Sequence, residues 1–184
     1  MSQADPSAVS CADGKRIQSP SAARVAATLP EMPDAYLKFL VDYNAWATAR
    51  VLDAFETSPE LLAATAPGGY GTAGETLNHL LGSEWYYLER LAGKPRAEEP
   101  SGLDLRDLRS LADELALAAA GLVATQPLPG TLIQRSYGMV AAEAFLGQLV
   151  IHGTEHRTHL SAILGSRGLE APDLSAWRFA GTAS

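Results

Sequence analysis

His152 and His156 stand four residues apart in the run IHGTEHRTHLSAIL, Ile151–Leu164. On a helix, positions i and i+4 share a face, so both imidazoles can reach one metal ion without a loop to carry them. His159 continues the stripe one turn further on. One ion cannot serve all three. His152 and His159 would lie about 10.5 Å apart along the axis at 1.5 Å per residue, and metal–nitrogen bonds reach only about 2 Å. The pair is therefore His152/His156 or His156/His159, and the first has the better spacing. A third ligand must come from another segment, and His79 in LNHLLGSE is the remaining histidine.

The stripe Ala142, Phe145, Leu149, His152, His156, His159 and Ile163 is apolar on both sides of the histidines. That predicts rings directed inward or into a groove. A lone histidine on such a face is usually a packed core residue, whereas several on one stripe favour metal binding. His79 is more ambiguous. The apolar stripe of its segment is Leu77, Leu81, Glu84, Leu88 and Leu91, and His79 falls beside Thr76, Ser83 and Tyr86. It is a surface residue if that stripe is the only buried face, and a ligand if the helix packs between two neighbours. Glu84 lies within the stripe, and a buried carboxylate needs a partner. Arg157, Arg50 or the free N–H of a ligating histidine could supply it.

Helices must position these residues. Tyr36, Phe39, Leu40, Tyr43, Ala47, Val51 and Leu52 recur at three- and four-residue steps, which predicts a helix over 34–55. The glycines of APGGYGTAG, 66–74, mark a loop. Thr72 with Glu75 then reads as a capping box opening a helix over 73–92, stopped by Gly93 and Pro95. Leucines and alanines predict a third helix over 104–124, ended by Pro127, Pro129 and Gly130. Thr131–Tyr137 reads as a short extended piece. A fourth helix is expected over 138–164 and a last short one over 173–179. Residues 1–30 are rich in Ser, Ala, Asp and Pro without periodicity and read as a flexible N-terminal extension, leaving 31–184 as the domain. The expectation is an all-α fold, a four-helix bundle.

Three segments together are similar to the DinB/YfiT family of metal-binding proteins: YNAWATARVLDAF (43–55), TLNHLLGSEWYYLERLAG (76–93) and IHGTEHRTHLSAIL (151–164). The resemblance covers about residues 34–180. It implies a DinB/YfiT-like bundle of up-down-down-up course. It also implies one divalent metal ion held by three histidines, here His79, His152 and His156. Tyr43 and Asn44 match the family's first-helix motif and are expected near the pocket, with Glu84 and His159 around the ligands. Two positions depart from the pattern: Glu155 stands where many relatives carry a further histidine, and His159 where a glutamine is often seen. Thirty N-terminal residues have no counterpart.

An open three-histidine site suits catalysis better than structure, since structural zinc sites usually close with four protein ligands. The resemblance suggests a metal-dependent enzyme acting on a small molecule, either a transferase or isomerase using a low-molecular-weight thiol or a hydrolase using metal-activated water. The alternatives are a non-catalytic, stress-related bundle working as a dimer, and histidines that merely pack. Zinc, nickel and iron all suit nitrogen ligands. No general base is evident, because Glu155 points about 100° from the adjacent His156 on a straight helix.

Composition narrows the partners. The chain has 184 residues, 47% of them hydrophobic, enough for one core. Fourteen basic and 21 acidic residues give a net charge of −7 with no basic cluster, which argues against nucleic acid. No apolar run approaches the roughly 18 residues of a membrane span. Cys11 is the single cysteine, so it forms no internal disulfide. With no secretory leader read at the start, a cytoplasmic location is expected, and the resemblance implies a homodimer.

Overall fold

The computed structural model describes residues 34–94, 98–125, 130–136 and 138–182. All of them belong to the unit Glu31–Ser184. The extension over 1–30, Cys11, Pro95, Pro127, Pro129 and Tyr137 lie outside the described residues.

Among the described residues, five helices and one hairpin follow in order. Helix α1 spans Asp34–Glu56, and a short 3-10 turn, Pro59–Ala63, follows it. Helix α2 spans Ala73–Leu91 and begins with the capping box read from the sequence. The Thr72 hydroxyl accepts from the Glu75 N–H at 3.1 Å, and the Glu75 carboxylate accepts from the Thr72 N–H at 2.8 Å. Two of the amides that a helix start leaves unpaired are thereby satisfied. Helix α3 spans Leu105–Thr125.

The described residues are mostly helical, broadly as an all-α fold requires, with a small two-stranded sheet added. Strands β1, Leu132–Arg135, and β2, Gly138–Ala141, pair antiparallel with Ile133 opposite Val140. The fourth helix expected from Gly138 therefore starts four residues later: α4 spans Ala142–Ser166. Gly138 has φ 133°, a conformation few other residues tolerate. Ala141 caps α4 without a side-chain bond, so no local signal marks that start. The Glu143 carboxylate instead accepts from the Gly130 N–H at 3.1 Å, tying the approach to the hairpin onto α4. The last helix, α5, spans Ala176–Thr182, not 173–179. It starts where the Ser175 hydroxyl accepts from the Arg178 N–H, the bonding of an N-cap.

The four long helices share one core. Helix α1 packs on α3 and α4, and α2 packs on α3 and α4. Val51, Leu52 and Phe55 of α1 meet Leu77, Leu80 and Leu81 of α2, Leu108 of α3, and Phe145, Leu149, Leu160 and Ile163 of α4 in a single buried cluster. Helix α2 is thus held between two neighbours, the condition under which His79 can face another helix. Helix α5 lies on α1, where Phe179 packs against Phe39, Tyr43 and Trp46. Among the described residues no helix is long and apolar enough to cross a membrane.

Candidate metal centre

His79 on α2 meets His152 and His156 on α4. The Nε2 atoms of His152 and His156 lie 3.1 Å apart, and those of His79 and His152 also 3.1 Å apart. The ligating atoms of all three fall within 4.8 Å of one another. The i, i+4 pair is therefore the one that joins His79. His159 stays outside the group: its ring centroid is 5.5 Å from that of His156. Glu155 is exposed on the outer face of α4.

Burial makes these imidazoles poor bases. It pushes His152 and His156 down to about 4, with neighbouring histidines adding to the effect. Burial also lowers His79, opposed by the negative charge of Glu99. Near neutral pH the rings are uncharged and each carries one lone pair. The Nδ1 atoms of His152 and His156 are buried without a hydrogen-bond partner. With protons on Nδ1, three lone pairs converge. With protons on Nε2, the crowded His152 nitrogen still cannot satisfy two neighbours at once. A metal ion is a partner that these three nitrogens could hold. Two of the spacings, His79–His152 and His152–His156 at 3.1 Å, are close to the separation of about 3.3 Å between ligands of a tetrahedral ion with bonds of about 2.0–2.1 Å.

A cavity adjoins this cluster on the α2 side, at His79. Its volume is about 730 Å³, and it is lined by Tyr70, Asn78, His79, Gly82, Glu99 and Leu103. The segment leading into α3 forms its far wall and is clamped to α2. The Asn78 amide donates to the Leu103 carbonyl at 3.1 Å, and its oxygen accepts from the Leu103 N–H at 2.8 Å. Gly82 lets this wall come close, since a Cβ there would stand 3.0 Å from the Pro100 carbonyl oxygen.

Glu84 and Asn44 lie in the core behind the histidines. Arg157, next to His156, is 1% exposed. Its Nη1 donates to Asn44 Oδ1 at 2.8 Å and to Thr48 Oγ1 at 3.0 Å, and it stands 4.0 Å from Glu84 Oε1. The Asn44 amide donates to the same Glu84 oxygen at 3.0 Å. Burial pushes the Glu84 carboxyl up to about 7, with Arg157 and Asn44 pulling the other way. The partners of Glu84 are thus Arg157 and Asn44, while Arg50 pairs with Asp53 at 3.4 Å on the surface. The network joins α1, α2 and α4 immediately beside the ligand pair. Tyr43 serves a different contact: its hydroxyl donates to the Leu174 carbonyl at 2.9 Å and anchors the approach to α5.

Tyr70 and Glu99 escape the sequence reading. Tyr70 had a faint signal, a lone aromatic among the glycines of a loop that precedes a helix carrying a histidine. Glu99 had none, because only the clamp at Leu103 brings its segment over α2. Neither a family model nor a curated protein matches the chain.

Proposed function

We propose that this chain is a divalent-metal-binding protein of the DinB/YfiT kind, a four-helix bundle with an added hairpin, and that it acts as a metal-dependent enzyme on a small molecule. The convergence of three uncharged Nε2 atoms beside an open cavity carries the reading. His79, His152 and His156 would hold the ion. When bound, such an ion supplies a Lewis acid with a position left for substrate. The cavity of about 730 Å³ favours catalysis over a closed structural site, as it gives a small molecule room beside His79. Asn44, Glu84 and Arg157 keep α1, α2 and α4 in register, so the ligand pair does not drift from His79. A low-molecular-weight thiol is the co-substrate class that the sequence resemblance suggests.

Elemental analysis of untagged protein, beside a His79→Ala variant, tests the metal. One equivalent of zinc, nickel or iron in the parent and a clear loss in the variant are expected. Parent protein that takes up no metal, or equal metal in both, refutes the reading. For the loaded protein, turnover of electrophiles with several thiols, absent in His156→Ala, tests catalysis.

A further inference from the structure

Tyr70 stands against the histidine cluster. Its ring lies nearly parallel to that of His79, at 18° and 4.2 Å between centroids. It is perpendicular to His156, at 87° and 5.1 Å. One aromatic residue thus touches a ligand from each helix and covers the edge where α2 and α4 bring those ligands together. Its other side lines the cavity, and the residue is 52% exposed. A ring so placed borders both the ligating nitrogens and the space from which a small molecule approaches them.

The ring is held by stacking, because among the described residues its hydroxyl has no hydrogen-bond partner. The backbone beneath it turns through Gly68 at φ 75°, and the Gly69 N–H donates to the Ala66 carbonyl at 3.1 Å. Only glycine adopts that φ at little cost. The tight turn therefore fixes where Tyr70 leaves the loop, while Glu75 and Thr72 pin the loop's far end to α2. Anchored at both ends and flat against His79, the ring occupies volume that a bulky ligand would need.

We infer that Tyr70 is the specificity-determining residue of the three-histidine site, a ring that sets the size of the ligand able to reach the ion from the cavity. This rests on the metal reading above. The ring's face does the work and its hydroxyl does not, so phenylalanine replaces it and alanine does not. Discrimination by shape in such a pocket is worth about ten- to a hundredfold per substantial group.

The test uses the full chain loaded with cobalt(II), whose visible spectrum reports a ligand entering its coordination sphere. The probes are imidazole and benzimidazole, which offer the same donor nitrogen and differ by one fused ring. The parent and Tyr70→Phe are expected to bind imidazole at least about tenfold tighter than benzimidazole. Tyr70→Ala is expected to lose most of that preference through tighter benzimidazole binding. A preference unchanged in Tyr70→Ala overturns the inference, as does benzimidazole binding that weakens in Tyr70→Ala, since the ring would then attract bulk. Loss of the preference in Tyr70→Phe overturns it too. Parent protein that shows no cobalt spectrum overturns the metal reading and this inference with it. Parent protein with a cobalt spectrum and no size preference overturns this inference alone.

Discussion

Gly153→Ala should destabilise the protein, although the same change elsewhere on α4 should stabilise it. Gly153 lies between the two ligands of α4, and a Cβ there would stand 2.6 Å from Asn44 Oδ1 and 2.7 Å from Arg157 Nη1. Both atoms end flexible side chains, but neither is free to move. Arg157 is fully buried and bonded to Asn44 and Thr48, and Asn44 is bonded to Glu84. Making room breaks at least one bond to a buried guanidinium, which costs about 1.5–3 kcal/mol. Alanine returns about 1 kcal/mol through its better helix propensity. The net loss is about 0.5–2 kcal/mol, or a melting temperature lower by roughly 1–8 °C for a chain of this size. Gly147 is the control: nothing lies within 4 Å of its built Cβ, so Gly147→Ala should gain up to about 1 kcal/mol. Urea unfolding of the two variants and the parent, with unchanged denaturant slopes, measures both. In an Asn44→Ala background the Gly153→Ala penalty should shrink. Gly153→Ala protein as stable as Gly147→Ala would refute the packed network as the reason for glycine at 153.

Two further outcomes follow from charge. Glu84, pushed up to about 7 by burial, holds its proton over a range where the unfolded chain has released it. Its contribution is therefore present below the ordinary value of 4.5 and lost as pH rises through about 7. The stability of the parent relative to Glu84→Gln should fall by up to about 3 kcal/mol across that window, and urea titrations giving a difference that grows with pH would refute it. His152 and His156, lowered to about 4, should let protons compete for metal only near that pH. Zinc titrations against a competing chelator should then show binding retained well below about 6.5, the ordinary histidine value, and a binding midpoint near 6.5 would refute the burial argument.

What the sequence made legible was local. Thr72 and Glu75 are three residues apart, and a helix start needs nothing more distant to be recognised. His152 and His156 declare a shared face by spacing alone, and the apolar stripe around them places that face inward. His79 was ambiguous because its exposure depends on how many helices flank α2, a tertiary fact that no wheel contains. The hairpin is half legible: 131–137 reads as extended, but β2 runs on into the helical pattern because Ala141 and Ala142 carry no cap to separate them. Arg157 was one of three candidate partners for Glu84. Its choice over Arg50 rests on Asn44 and Thr48, more than a hundred positions away.

The guanidinium of Arg157 can leave water only when what replaces it is already in place. Its substitutes come from α1 and α2, which α4 joins last in chain order. A pair of helices alone would leave that cation hydrated and the segment around it undocked. Seating of α4 thus needs both α1 and α2 in place, and a nascent chain brings its three imidazoles together only once those three helices have met.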